Sequence, residues 1–126
     1  MTFQKGVIDL SIAISVAEGF GREGAVPTLA HNPGDLKVDG WTGPVLGAEK
    51  IPVFANDEEG WNRLHVKLQR IVNGASHVYS LDMTFEKFGE KWTDTAQGPW
   101  IHNVIAHLQT LGYAVDGSST LREVLT

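Results

Sequence analysis

The chain of 126 residues contains no cysteine, which excludes disulfides, thiolate metal sites and cysteine nucleophiles. It also lacks any apolar run near the roughly 20 residues that a membrane-spanning helix needs. Lysine and arginine are outnumbered by aspartate and glutamate, 10 to 15, and occur in no basic run, giving a net charge of −5. An acidic surface repels phosphate backbones, so nucleic acid is not an expected partner.

The residues that are present suit one globular domain over residues 1–126, since 42 % of them are apolar and no linker or repeat interrupts them. A monomer is expected. The apolar stretch 7–17 could be mistaken for part of a signal peptide, but Asp9 interrupts it and no cleavage site follows. We therefore interpret this stretch as a helix of the mature domain.

The stretch 7–17 is apolar almost all round, which predicts a central, buried helix. Ser11, Ser15 and Glu18 fall on one face of that helix, and Gly19 is a natural stop. Residues 19–55 contain four of the five prolines, which excludes a long helix there. Short extended pieces at 36–38, 44–46 and 51–54 predict a small β-hairpin or β-wing.

Helical periodicity returns after residue 55. Asn56 or Asp57 can cap a helix that ends at Asn73, and Thr84 can cap a short helix. A further helix has Pro99 in its first turn, and a capping box at 120–123 starts a last turn. The predicted fold class is mainly α (α+β), with about five helices around the buried central helix.

Glu18 is the first candidate for chemistry. It ends a buried helix, where the helix dipole opposes ionisation, and its apolar neighbours include Val16, Ala17 and Phe20. Both effects raise the pKa of a carboxyl group, so that it can act as a general acid near neutral pH. The alternative is an ordinary solvated glutamate at a helix end.

The loop 31–36 follows this helix and contains an Asn-Pro-Gly-Asp turn. Pro33 restricts its backbone and Gly34 permits a tight turn. The amide of Asn32 suits sugar hydroxyls or an N-acetyl group, and Asp35 supplies a candidate second carboxylate. An ordinary surface turn is the alternative interpretation.

Aromatic residues add candidate sugar contacts. Trp92 and Trp100 flank a polar loop, where their faces could stack on sugar rings, and Tyr79 is a further candidate. Trp61 keeps phase with apolar positions, which favours a core position. The five histidines form no metal-binding spacing, and no phosphate-binding loop occurs. The sequence therefore predicts neither a metal site nor a cofactor.

Taken in order, these motifs resemble the lysozyme-like superfamily, in particular small bacterial and phage peptidoglycan hydrolases and lytic transglycosylases. The similar segments span most of the chain: 14–20, 32–36, 54–55, 59–64, 84–92 and 100–112. Three departures stand out. Asp35 occupies a place where asparagine is usual, Trp92 replaces a tyrosine, and residues 93–95 replace a segment containing Ala-Pro.

The resemblance implies a lysozyme-like fold and a muramidase activity, cleavage of the β-1,4 bond between N-acetylmuramic acid and N-acetylglucosamine with Glu18 as acid. Hydrolysis assisted by Asp35 or Asp39, and lytic transglycosylation with one glutamate alone, both remain open. So does a non-catalytic glycan-binding or structural module, and so does a chitin or chitosan substrate. The expected partner is peptidoglycan or a related amino-sugar polymer. The expected location is periplasmic or extracellular, reached through a removed export signal or by delivery from a phage or other device.

Overall fold

The computed structural model describes residues 3–126, and its architecture is mainly helical with one small antiparallel sheet. In chain order, the elements within these residues are helix α1 (Lys5–Glu18), helix α2 (Val26–Leu29), strands β1 (Val45–Leu46) and β2 (Ile51–Pro52), and helices α3 (Asp57–Val72), α4 (Phe85–Trp92), α5 (Gln97–Thr110) and α6 (Arg122–Leu125). The coarse α+β prediction is therefore confirmed. The number of helices is six in the described chain, because α2 adds one turn inside the segment rich in proline.

The predicted helix boundaries agree with the structure where capping residues set them. Asn56 caps α3 by accepting from the backbone N–H of Glu59, and Thr84 caps α4 by accepting from that of Lys87. Gly19 ends α1 with a φ of 84°, a left-handed conformation in which glycine has no steric penalty. At the C terminus, Glu123 accepts from the backbone N–H of Thr120, one of the two bonds of the predicted capping box.

Helix α1 packs against α3, α5 and α6, and α5 also packs against α4. Its inward side chains, among them Leu10 and Ile14, are fully buried. The prediction that α1 is buried all round is wrong, however. Ile8, Ile12 and Val16 are 39 %, 38 % and 47 % exposed along one side, because the surrounding helices leave that side uncovered. The polar residues Ser11 and Ser15 lie inside instead, where each hydroxyl donates to a backbone carbonyl one turn earlier in the helix.

The sheet is smaller than the predicted β-region. Val45 pairs with Pro52 and Leu46 pairs with Ile51, whereas residues 36–38 form no strand. Pro52 has no N–H to extend the ladder, and Val53 donates instead to the carbonyl of Pro44. Phe54 donates to Ala30, which ties the hairpin to the loop after α2.

Glycine allows two close helix contacts. A Cβ at Gly60 of α3 would collide with the carbonyl oxygen of His31 and with the ring of Pro33. A Cβ at Gly89 of α4 would collide with the side chain of Ile101. The first contact sets α3 directly against the loop 31–36. Among residues 3–126, no helix has the length and apolar character to cross a membrane.

Candidate functional site

The C-terminal end of α1 opens into a cleft of about 170 Å³, here called the central cleft. Glu18 lies at this end, half-buried, with Asp35 of the loop 31–36 beside it and Glu49 of the β-hairpin turn facing both. Three carboxyl groups from three separate segments of the chain therefore line the same cleft. The sequence motifs predicted the first two of them.

Burial is the main reason that the pKa of Glu18 rises to about 8. The negative charges of Asp35 and Glu49 raise it further, while the indole N–H groups of Trp100 and Trp92 favour the ionised form and oppose the rise. At neutral pH the Glu18 carboxyl is therefore protonated in most molecules. A carboxyl that retains its proton at pH 7 can donate it to a leaving group.

The pKa of Asp35 is also raised, first by burial and then by the charge of Glu49, with Lys37 acting in the opposite direction. One carboxylate oxygen of Asp35 is buried without a hydrogen-bond partner among residues 3–126. Its backbone has a φ of 51°, a left-handed conformation that aspartate tolerates better than most residues. Strained backbone and unpaired polar atoms tend to concentrate at functional sites.

Asn32 holds this loop in place. It is fully buried, and its amide donates to the carbonyls of Leu36 at 3.0 Å and Pro52 at 3.1 Å, while its oxygen accepts from the N–H of Leu36 at 2.8 Å. The structure therefore gives Asn32 a structural role in place of the predicted sugar contact, because its side chain is fully buried and both of its N–H groups are already used.

Gly34 is likewise buried, and a Cβ there would press on the side chains of Leu64 and Leu36. Its carbonyl accepts from the indole N–H of Trp92 at 3.2 Å. Gly34 therefore helps to position Trp92, and it has no exposed surface that a sugar could contact.

The predicted aromatic contacts Tyr79, Trp92 and Trp100 form one cluster of rings next to the carboxyl groups. Tyr79 and Trp92 are half-buried and line the central cleft, with their ring centroids 5.7 Å apart. Trp100 stacks on Trp92 at 6.2 Å but is only 5 % exposed, so it lies beneath the site and presents no face to a ligand. Its indole N–H forms no hydrogen bond of good geometry in the described chain, yet it faces Glu18 and favours the ionised form of that carboxyl group.

Other predicted residues lie further away. Trp61 is half-buried and packs edge-on against Phe20 at 5.4 Å, so it lies at the margin of the core. Asp39 lines the groove described next, and it does not line the central cleft.

Two further hollows extend the central cleft. The acidic hollow shares Glu18, Asp35 and Glu49 with it and continues toward Val26 and Ile51. The basic groove, of about 670 Å³, shares Leu36, Lys37, Lys67 and Tyr79 with it and continues along α3. The central cleft therefore adjoins both other hollows, and the three together are called the groove. Glu18 lies where the central cleft meets the acidic hollow.

Sequence reasoning missed Glu49 and the cations of the groove. Arg63, Lys67 and Arg70 are spaced i, i+4 and i+7 on α3, which places them on one helical face. A search for basic runs does not detect such a face, whereas a search by helical period would have found it. Glu49 gave no signal, because only the hairpin brings it toward Glu18.

Comparison of the chain with protein-family models, with curated proteins and with solved structures gives no match. The functional argument therefore depends on the groove and its residues.

Proposed function

We propose that the chain is a glycosidase with a lysozyme-like fold, which cleaves the β-1,4 bond between N-acetylmuramic acid and N-acetylglucosamine in peptidoglycan. The observation that carries the proposal is the position of Glu18, a carboxyl group with a pKa of about 8 where the central cleft meets the acidic hollow. The order of the sequence motifs supports the same family. Such a substrate is found in the periplasm or outside the cell.

In this mechanism, Glu18 donates its proton to the glycosidic oxygen as the bond to the sugar breaks. Positive charge develops on that sugar in an oxocarbenium-like transition state. The negative charges of Asp35 and Glu49, which act on Glu18, stabilise this charge. General-acid assistance of this kind typically contributes about 10²–10⁴ in rate.

Two routes complete the reaction. In hydrolysis, a carboxylate of the cleft, Asp35 or Glu49, accepts a proton from the attacking water. In lytic transglycosylation, Glu18 itself accepts the proton from the 6-hydroxyl of the same sugar, which attacks and leaves a 1,6-anhydro end. Both routes balance without a cofactor, and the ends of the products distinguish them.

The test is mass spectrometry of peptidoglycan fragments after incubation with the wild type, with Glu18→Gln and with the exposed control Glu58→Gln. We expect products from the wild type and the control, and a loss of at least about 10²-fold in rate for Glu18→Gln. Near-normal cleavage by a folded Glu18→Gln protein would overturn the role of Glu18.

Absence of products from all three folded proteins, with glycan binding retained, would replace the enzyme with a non-catalytic glycan-binding module. Tyr79 and Trp92, which are half-buried and line the central cleft, would supply aromatic contacts for such binding.

A further inference from the structure

The groove is divided by charge, although the whole chain is acidic. Its acidic end contains Glu18, Asp35 and Glu49. Its other end contains cationic side chains together with one carboxylate, Asp39, and these cations are Lys37, Arg63, Lys67 and Arg70, with His77 beside them. Lys91 and Asp94 lie between the two ends, in the central cleft. A net charge of −5 makes this local excess of cations a specific feature of the groove.

Some of these cations already have carboxylate partners. Lys37 pairs with Asp94 at 3.3 Å, and Arg63 pairs with Glu59 at 3.2 Å. The guanidinium of Arg63 also lies over the ring of Phe54 at 4.7 Å. These pairs leave Lys37 and Arg63 partly neutralised.

Lys67 differs from them. Within residues 3–126 it forms no ion pair and no hydrogen bond, and it lies over two aromatic rings, 5.0 Å from the centroid of Trp92 and 5.8 Å from that of Tyr79. Burial lowers its pKa, and the charge of Asp39 only partly offsets this effect. A half-buried ammonium group without a counter-ion is costly unless an anion completes its surroundings.

Arg70 is one turn further along α3 on the same face. Its guanidinium donates to the carbonyl of Ala75 at 2.9 Å and has no carboxylate partner in the described residues. Lys67 and Arg70 therefore leave donors available to an anion in the groove. Lys67 lines both the central cleft and the basic groove, so this position lies beside the path of a chain bound across Glu18.

We propose that Lys67 and Arg70 form an anion subsite for a carboxylate that the substrate chain carries as a substituent. This inference rests on the proposed function and specifies its substrate class as an acid-bearing amino-sugar polymer. In peptidoglycan the carboxylate is the lactyl group of a bare muramic acid or a carboxyl group of its peptide stem. Neutral chitin offers no such group, and the ammonium groups of chitosan would be repelled.

The experiment measures dissociation constants by calorimetry in the Glu18→Gln background, which binds without cleaving. The probes are peptidoglycan oligomers with peptide stems, the same oligomers with stems removed, and N-acetylated chitin oligomers of equal length. Lys67→Met retains the apolar stem and removes the charge, and Lys67→Arg restores the charge. Lys87→Met is the matched control, since Lys87 is exposed and lines none of the three hollows.

We expect Lys67→Met to weaken binding of the acid-bearing oligomers about tenfold or more, the size of a charge-assisted contact, and to leave chitin binding within about twofold. Lys67→Arg should restore most of the loss, and Lys87→Met should have no effect. The oligomer whose affinity falls most identifies the source of the carboxylate, lactyl or peptide.

Equal weakening for acid-bearing and neutral oligomers would assign Lys67 a structural role and overturn the anion subsite alone. Equal affinity of the Glu18→Gln protein, with Lys67 intact, for acid-bearing and neutral oligomers would also overturn the anion subsite. Failure to bind any of the three polymers would instead overturn the proposed function and this inference with it.

Discussion

The two ends of the groove differ in the charge of their main polar groups. At the acidic end, burial and mutual repulsion keep a proton on Glu18, so a group that would otherwise be an anion is neutral and able to donate. At the basic end, Lys67 is half-buried on aromatic rings and forms no ion pair within residues 3–126, and the charge of Asp39 only partly offsets the effect of burial. The acidic end is thus suited to proton transfer and the basic end to binding an anion. The difference depends on which neighbours the fold supplies, because Glu18 and Lys67 are both half-buried.

The largest expected effect concerns the loop that supports the acidic end. Asn32→Ala removes three buried hydrogen bonds and leaves the N–H of Leu36 and two carbonyls without partners. We expect a loss of about 3–5 kcal/mol in the free energy of unfolding, measured by urea denaturation. Asn103→Ala, at an exposed position of α5, is the control and should change stability by less than about 0.5 kcal/mol. A small effect of Asn32→Ala would show that the loop is held by other contacts.

The next effect concerns how the protonation of Glu18 changes the free energy of unfolding, which can be measured without any substrate. The folded state holds this proton up to a pH of about 8, whereas the unfolded chain releases it near its ordinary pKa of 4.5. Glu18 therefore contributes most to stability below pH 4.5, and this contribution is lost as pH rises toward 8. Glu18→Gln resembles the protonated form, so the variant should be more stable than the wild type at pH 9, by about 2–4 kcal/mol.

At pH 4 the two proteins should be equally stable, which serves as the internal control in thermal or urea unfolding. An equal difference at both pH values would contradict a raised pKa at Glu18.

The wild-type rate of glycan cleavage should fall as pH rises through about 8, because Glu18 then loses the proton that it donates. Glu49→Gln removes a negative neighbour, which lowers the pKa of Glu18, and should move this fall to lower pH by under about one pH unit. Glu23→Gln, exposed and outside all three hollows, should not move it. A rate loss of about 10²-fold or more at every pH for Glu49→Gln would instead make Glu49 the base that activates water.

The smallest expected effect is at the basic end, the roughly tenfold change in affinity on removing the charge of Lys67. The salt dependence of the preference for acid-bearing oligomers sharpens the comparison. Added salt should weaken this preference, since salt screens charge pairs. Binding of neutral chitin oligomers should not change over the same range. A salt-independent preference would contradict an ionic contact at Lys67.

Much of the fold could be predicted from local patterns. Caps at Asn56 and Thr84 and the stop at Gly19 set helix ends through bonds between residues close in the chain, and these predictions are confirmed. The burial of each side chain was harder to predict. Ile8 and Val16 are as apolar as Leu10, yet they remain exposed, since burial depends on where α3, α5 and α6 pack.

Part of the candidate site could likewise be predicted from the sequence, and part of it could not. The position of Glu18 before a helix-ending glycine and the turn that carries Asp35 could be identified in the sequence. The burial of Asn32 could not, because one of its partners, Pro52, lies 20 residues further along the chain. The lysozyme-like family and the reaction stay predictions that the experiments above test.

By itself the sequence determined the helices, their caps and the residue at the end of α1, because these depend on propensities and bonds that span a few residues. Only the tertiary structure decided that Glu18 keeps its proton, that Glu49 faces it and that Lys67 lies on aromatic rings without an ion pair in the described part of the chain. Desolvation and Coulomb interactions depend on distance in space, and the residues that set them are far apart along the chain.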